Sequence, residues 1–278
     1  MREIPPLLRP LAAAAAVVGG ALAVAAPAVA APSWAPADAA AIRPGVQTVS
    51  DAGQCTSNFV FYDGAGDVFI GQAAHCTSTG SSTDTNGCQA DSLPLGSPVD
   101  VEGASRPGTL AYNSWLTMHA VGEQDADTCE YNDLALVRLD PADAAKVNPT
   151  VKFWGGPSAI DRDGTQAGDV VYSYGNSSLR LGIESLSPKR GISLGTDSGG
   201  WNHSVYTLTP GIPGDSGSAF LDADGRALGV LSTLAIAPLA GSNGVGDVGH
   251  ELDYLNAHGG LGTVTLADGT EPFDGSLR

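Results

Sequence analysis

Charged side chains are scarce in this chain of 278 residues, and basic ones are the scarcest. Charged residues make up 15 % of the sequence, below the roughly 25 % of an average globular protein. Lysine and arginine number 13 against 30 aspartates and glutamates, so the formal charge is −17. This negative charge excludes a protein that binds a nucleic-acid backbone or an anionic membrane surface. Apolar residues, at 42 %, suffice for a sizeable core and exclude a disordered polyelectrolyte.

The sequence has no internal repeat and few segments of helical periodicity. Its 37 glycines and 18 prolines follow no period, which excludes collagen and argues against long helices. Many turns of this kind are typical of an all-β protein with short strands. The length suits one large or two small domains.

The apolar run of residues 11–26, which ends before Pro27, has 16 residues and is shorter than the roughly 18 or more that a membrane-spanning helix needs. It follows Arg2 and Arg9 and leads into the small-residue site Ala28-Val29-Ala30. This order predicts a signal peptide over residues 1–30 that is cleaved after Ala30, the alternative being an uncleaved signal anchor. We therefore expect a soluble, secreted protein that has no membrane contact after cleavage.

The four cysteines are Cys55, Cys76, Cys88 and Cys129. An even number in an oxidising compartment predicts two disulfides, for which three pairings are possible. The first two cysteines bracket a predicted hairpin whose ends meet, which favours Cys55 with Cys76 and leaves Cys88 with Cys129.

No metal site or other cofactor is predicted. The chain has no C-x-x-C pair and no H-x-x-x-H pair, the spacings of common zinc sites. Two Asp-Gly loops, at residues 161–164 and 222–225, resemble calcium loops faintly but do not fit D-x-[DN]-x-[DN]-G.

Strand patterns dominate the rest of the chain. Alternating or fully apolar segments predict strands at residues 59–62, 67–70, 132–139, 170–174, 204–209, 218–221 and 227–233. Only residues 247–257 have helical spacing. We predict a flexible N-terminal arm (31–41), a first β-rich half (42–140), an interdomain connection (141–150), a second β-rich half with the helix (151–260) and a C-terminal tail (261–278).

Three short stretches hold the side chains that acyl transfer requires. They read A-A-H-C, D-L-A-L and G-D-S-G-S, and they supply His75, Asp133 and Ser216 in that order. A serine hydroxyl needs an imidazole to remove its proton, and the imidazole needs a carboxylate to fix its tautomer. Gly214 lets the backbone approach the substrate, so that the N–H groups of Gly214 and Ser216 form an oxyanion hole.

This constellation resembles the chymotrypsin-fold (trypsin-like) serine peptidases, whose signatures read roughly T-A-A-H-C, D-[LI]-A-L and G-D-S-G-G. The order His, Asp, Ser is also that family's, and the short start before Cys55 looks like its bacterial secreted branch. Over residues 42–260 the resemblance implies two antiparallel six-stranded β-barrels with the triad in the cleft between them. The helical spacing of residues 247–257 adds a short C-terminal helix to this fold. Gln72 and Ser218 depart from the signatures but lie outside the reacting atoms.

Asp215, which precedes the nucleophile, needs a positive partner. In animal members of the family a freshly cut N-terminal amine supplies it, but here Ile42 is followed by Arg43-Pro44-Gly45. A buried unpaired carboxylate is costly, so an arginine is expected, with Arg180 and Arg190 as candidates. We hypothesise that no proteolytic activation at Ile42 is needed.

The resemblance also places four residues at the substrate. Pro210 falls at the base of the primary pocket, where trypsin-type specificity requires Asp. Ser232, Thr233 and Leu234 align with the segment that pairs with substrate, and Leu234 replaces a usual glycine. We therefore expect a narrowed pocket that prefers small or medium apolar residues before the scissile bond.

Together these patterns predict a secreted serine endopeptidase, a monomer that acts on protein or peptide substrates. Fold alone does not determine function, so a catalytically silent binding protein on the same fold remains an alternative. An esterase or acyltransferase that uses the same triad is another.

The leader can be tested directly. We expect the protein recovered from an exporting host to begin at Ala31, because Ala28-Val29-Ala30 has the residue types that signal peptidase accepts. Intact-mass spectrometry would check the terminus, and a mature chain that still begins at Met1 would contradict the prediction.

Overall fold

The computed structural model describes residue 1 and residues 32–80, 85–234 and 241–276. The predicted signal peptide therefore lies outside the described residues, apart from Met1. No helix in the described part of the chain has the length and apolar character needed to cross a bilayer.

Most of the described chain is β-strand joined by turns. The strands, in chain order, are β1 (Gln47–Ser50), β2 (Gly53–Thr56), β3 (Val60–Asp63), β4 (Val68–Ala73), β5 (Pro98–Val101), β6 (Gly108–Asn113), β7 (Leu134–Arg138), β8 (Val170–Tyr174), β9 (Pro188–Asp197), β10 (Asn202–Leu208), β11 (Ala219–Leu221), β12 (Ala227–Leu234), β13 (Asn243–Asp247) and β14 (Val264–Leu266). Short 3₁₀ helices follow several of them, at Ala74–Thr77, Pro141–Lys146, Ser178–Arg180, Glu184–Leu186 and Ser198–Gly200.

The first half of the chain forms an antiparallel sheet in the order β14-β3-β4-β7-β6-β5-β1-β2. The predicted hairpin is present as β3 and β4, with Phe61 opposite Phe69. The resemblance implied a six-stranded barrel for this half, whereas the sheet has eight strands. One of the eight is β14, which comes from the far end of the chain and pairs with β3.

The second half closes into a six-stranded barrel in the order β10-β13-β12-β11-β8-β9. This confirms the barrel predicted for this half, and β8 has the predicted bounds. Its interior is filled by side chains that include Val171, Phe220, Leu228 and Val245, all fully buried. These residues come from four different strands, so the barrel has its own core.

The late helix is present as α3 (Val248–His258), one residue from its predicted position. Two further helices, α1 (Ser114–Val121) and α2 (Ala126–Tyr131), correct the prediction of a single helix. Trp115 and Val121 are indifferent helix formers, so the sequence of α1 has no strong helical signal. Caps stabilise both helices: the side chains of Asn113 and Asp125 accept backbone N–H groups in the first turns of α1 and α2.

Residues 34–35 and 264–266, in the segments predicted as a flexible arm and a tail, contact the rest of the fold. The predicted tail contributes β14, where Val264 and Leu266 are buried because alternate residues of a strand share one face. In the predicted flexible arm, the backbone N–H of Ala35 donates to the Val147 carbonyl at 2.9 Å. The Trp34 ring packs edge-on against Tyr62.

Both disulfides form in the favoured pairing, Cys55 with Cys76 and Cys88 with Cys129. The first ties β2 to the 3₁₀ turn that carries His75. The second ties α2 to the loop that precedes β5. Each crosslink restricts the unfolded chain and stabilises the fold by about 2–4 kcal/mol.

The two Asp-Gly loops meet around Arg226. Its guanidinium lies 2.6 Å from Asp222, 3.0 Å from Asp163 and 3.6 Å from Asp161. A side-chain cation therefore lies among the carboxylates of the two loops.

The contribution of β14 can be measured by substitution. We expect Leu266→Ala to lower the free energy of unfolding by about 2–5 kcal/mol, because it leaves a cavity beside β3. Thr265→Ala is the matched control, since Thr265 is exposed on the opposite face of the same strand, and we expect a change within about 0.5 kcal/mol. Chemical denaturation measures both, and equal effects would show that β14 does not pack as described.

Candidate active site

Pairing of β4 with β7 brings His75 next to Asp133. Ala73, the last residue of β4, lies opposite Leu134, the first of β7. Ala74, the residue after β4, therefore faces Asp133, the residue before β7, and His75 comes next in the chain. The Ala74 N–H donates to the Asp133 carbonyl at 2.7 Å, which extends the pairing to the site.

The Asp133 carboxylate is buried and accepts three hydrogen bonds. His75 supplies two of them, from its backbone N–H at 2.9 Å and from Nδ1 at 2.7 Å. The Ser232 hydroxyl donates the third at 2.5 Å. Burial of the imidazole acts to lower the pKa of His75, but the charge and hydrogen bond of Asp133 outweigh burial and raise it.

Ser216 lies in a tight loop between β10 and β11. Gly214 and Gly217 have φ of +91° and +85°, in the region that favours glycine. A Cβ on Gly217 would lie 2.6 Å from the Thr56 carbonyl oxygen, so no larger residue fits there. The Thr56 N–H donates to the Ser216 carbonyl at 2.9 Å and ties the loop to β2.

The three predicted catalytic side chains line one cleft of about 570 Å³. Within the described residues, the backbone N–H groups of Gly214 and Ser216 donate to no protein acceptor. In the described part of the chain, the Ser216 hydroxyl and the His75 imidazole form no hydrogen bond with each other. In serine–histidine pairs without substrate this contact is often long.

Asp215 is fully buried and held by two cations. Its carboxylate lies 2.5 Å from Arg180 Nη2 and 3.0 Å from Lys189 Nζ. Backbone N–H groups also donate to it, from Ser177 at 3.0 Å and from Ile212 at 3.2 Å. Burial acts to raise the pKa of Asp215, but Arg180 and Lys189 outweigh burial and lower it.

Of the two arginines proposed for Asp215, Arg180 is the partner and Arg190 is not. Arg190 lies over the Tyr172 ring, 5.7 Å from its centroid. The second cation is Lys189, its neighbour on β9, which sequence reasoning missed. Adjacent residues of a strand point to opposite faces, and no pattern in the sequence shows which face points inward here.

The predicted substrate-binding residues fall into two groups. Ser232, Thr233 and Leu234 line the cleft, and Leu234 is exposed. Pro210, predicted at the base of the pocket, is not among the residues that line this cleft. Its carbonyl instead accepts from Arg180 Nη2 at 3.3 Å, because the chain here turns towards the buried cations.

Asn243 is a further cleft residue that sequence reasoning missed. Its Oδ1 accepts from the Gly211 N–H at 2.9 Å, and its Nδ2 donates to the Thr233 carbonyl at 3.1 Å. The side chain therefore ties together two walls of the cleft. Among the described lining residues, His75 and Asp133 carry the only ionisable side chains.

One group of metal-ligating residue types lies in the cleft. The ligand atoms of Cys55, His75 and Cys76 lie within 4.8 Å of one another. Both sulfurs are joined in the disulfide, and His75 Nδ1 is bonded to Asp133. The group therefore offers no thiolate to a metal ion.

Comparisons with known proteins show similarity to solved structures. No protein-family model and no curated protein sequence matches the chain. Among solved structures, Thermobifida fusca protease A is similar, with a TM-score of 0.53 and 19 % identity, over 83 % of this chain and 100 % of that one. A Glu endopeptidase is similar with a TM-score of 0.50 and 14 % identity, over 77 % of this chain and 89 % of that one.

The chain has the chymotrypsin fold. This confirms the fold that the His, Asp and Ser motifs implied. Because the sequence identities are low, the similarity concerns the backbone fold alone.

Loss of the Asp215 charge tests the buried ion cluster. We expect Asp215→Asn to lower the free energy of unfolding by about 3–5 kcal/mol, because Arg180 and Lys189 remain buried without a counter-charge. The folded pKa of Asp215 is lowered, so this stabilisation is complete above the pKa of an unfolded aspartate, about 3.9. It is lost as the pH falls through the folded value.

Asp253→Asn is the matched control, because Asp253 is exposed and pairs with a partly exposed Arg162. We expect a loss within about 1 kcal/mol. Denaturation of both variants across acidic pH gives the comparison. Equal losses would contradict the special role of Asp215.

Proposed function

We propose that this protein is a secreted serine endopeptidase that hydrolyses peptide bonds through an acyl-enzyme on Ser216. The contact between His75 Nδ1 and Asp133 Oδ2, 2.7 Å long inside the cleft that Ser216 lines, carries the proposal. This contact fixes the imidazole tautomer and leaves Nε2 to accept the proton of Ser216.

The proposed steps use side chains of the cleft. Ser216 Oγ attacks the substrate carbonyl as His75 takes its proton, and Asp133 stabilises the imidazolium. The amides of Gly214 and Ser216 bind the oxyanion of the tetrahedral intermediate. His75 then gives its proton to the leaving amine, and water releases the acyl group by the same route in reverse.

Two observations support export. Residues 1–30 have the pattern of a signal peptide. Both disulfides are formed, which suits an oxidising compartment. We propose that the mature protein acts outside the cell, as a monomer, on peptides or proteins.

We propose that activation by cleavage before Ile42 is unnecessary. Arg180 and Lys189 already pair with Asp215, the group that a new N-terminal amine would bind. Ile42 is fully buried, and its backbone N–H donates to the Lys146 carbonyl at 3.1 Å. The amide of Ile42 is therefore engaged in the uncut chain.

The cleft supports a preference for uncharged residues before the scissile bond. Apart from His75 and Asp133, its described lining has no ionisable side chain that could pair with a charged substrate. We propose that Leu234, one of the lining residues, narrows the cleft. We propose that small or medium apolar residues fit best.

Covalent labelling tests the nucleophile. We expect a fluorophosphonate probe to modify Ser216 in protein that begins at Ala31, with no reaction in Ser216→Ala. His75→Ala should slow labelling by roughly 10⁴- to 10⁶-fold. Because the pKa of His75 is raised, the labelling rate should rise with pH through a midpoint above about 6.5, the value of a free histidine. Mass spectrometry maps the adduct.

Three results would decide between the proposal and its rivals. Folded protein that takes up no probe would indicate a binding protein on the same fold. Labelled protein that hydrolyses esters but no peptide would indicate an esterase. Labelling that appears only after cleavage before Ile42 would contradict the activation proposal.

A peptide series that varies the residue before the scissile bond tests specificity. We expect Ala or Leu to be cleaved at least roughly tenfold faster than Arg or Glu, because a charged side chain would enter the cleft unpaired. Leu234→Gly should improve cleavage after Phe relative to Ala, whereas Leu181→Gly, at an exposed leucine that is not among the lining residues, should leave the ratio unchanged. Fast cleavage after Arg would contradict the prediction.

A further inference from the structure

The buried carboxyl group of Glu251 contacts the backbone of Asp133. Glu251 lies in the first turn of α3 and is fully buried. Its Oε1 accepts the backbone N–H of Asp133 at 2.9 Å. The backbone carbonyl of Asp133 accepts from Ala74, and its carboxylate accepts from His75 and Ser232. Glu251 therefore completes the set of bonds that fix Asp133.

The surroundings of Glu251 disfavour its charged form. Its second oxygen, Oε2, has no hydrogen-bond partner within the described residues. Burial raises the pKa of Glu251 well above its usual value; the hydrogen bond from the Asp133 N–H acts to lower it, and the charges of Asp133 and Asp247 act to raise it further. Tyr112, on β6, is a further titratable neighbour, and burial also raises the pKa of its hydroxyl. No cation pairs with Glu251 in the described part of the chain.

Asp247, the other carboxylate nearby, is compensated differently. It pairs with His203 at 3.0 Å and with His250 at 2.9 Å, and it caps α3. The two carboxylates at the start of α3 thus differ, since Asp247 has partners for its charge and Glu251 has none. Gly246 leaves room for this arrangement, because a Cβ there would lie 2.6 Å from Glu251 Oε1.

We propose that Glu251 is a positioning residue for the triad: as a neutral carboxylic acid it holds the backbone N–H of Asp133 without adding a negative charge beside it. This proposal rests on the proposed function, because it assigns Asp133 to the triad. An apolar side chain in place of Glu251 would leave the Asp133 N–H buried and unbonded. An ionised Glu251 would add a third negative charge close to those of Asp133 and Asp247.

Two substitutions at Glu251 and one control separate positioning from packing. Glu251→Gln keeps a neutral acceptor, whereas Glu251→Met keeps the bulk and removes the acceptor. Leu252→Val trims the next buried side chain of α3, which has no group that could accept a hydrogen bond from Asp133. The fluorophosphonate labelling rate is measured for each from about pH 5 to about pH 10.

We expect Glu251→Gln and Leu252→Val to label Ser216 at neutral pH within a factor of about two of the unaltered protein. Glu251→Met should be slower by roughly tenfold, the loss of one buried hydrogen bond. At alkaline pH the unaltered protein and Leu252→Val should lose rate as Glu251 ionises, and Glu251→Gln should not. An identical alkaline decline in Glu251→Gln, or a folded Glu251→Met that matches Leu252→Val, would overturn the proposal.

A second measurement is independent of catalysis. We expect the proton between His75 Nδ1 and Asp133 Oδ2, which are 2.7 Å apart, to give a low-field NMR resonance. We expect it to persist in Glu251→Gln, and to move or broaden in Glu251→Met. If the unaltered protein takes up no probe, the proposed function fails, while this resonance still supports or overturns the role of Glu251. If Glu251→Met does not fold, the pH profile of Glu251→Gln decides.

Discussion

The charge of Asp215 is the constraint on which the catalytic loop depends. A carboxylate without solvent needs partners on every side, and this one draws Arg180, Lys189 and two backbone N–H groups towards it. Those partners come from the loop after β8, from β9 and from the segment before Gly214. The residues that carry Ser216 are thus fixed against the barrel by an ion cluster that forms within a single chain.

Asp133 has a comparable set of bonds on the other side of the cleft, built mainly from backbone pairing. The register of β4 and β7 places its carboxylate under His75, Ser232 arrives from β12, and Glu251 arrives from α3. Asp215 and Glu251 are both buried, but their surroundings favour different protonation states. Asp215 is kept ionised by cations, whereas Glu251, behind Asp133, is kept neutral by burial.

Much of the fold and the proposed triad could be predicted, because both leave local marks in the sequence. Strands such as β8 show apolar runs between turns, and acyl transfer requires a histidine, an aspartate and a serine in recognisable surroundings. Lys189, Asn243 and Glu251 leave no such mark, since their roles arise from burial against residues distant in sequence. The bond from Arg180 to the Pro210 carbonyl likewise joins residues about thirty positions apart and has no local mark. The helices α1 and α2 depend on caps and a disulfide more than on apolar periodicity.

Strand β14 pairs with a strand that is synthesised much earlier. Its partner β3 is made early in synthesis, while Val264–Leu266 follow about two hundred residues later. A chain delivered from its N-terminus exposes the edge of β3 until residues 264–266 have emerged. That edge belongs to the sheet that carries His75 and Asp133. Among the described strands β14 is the last to emerge, so this sheet is completed only after residues 264–266 have left the ribosome or the export channel.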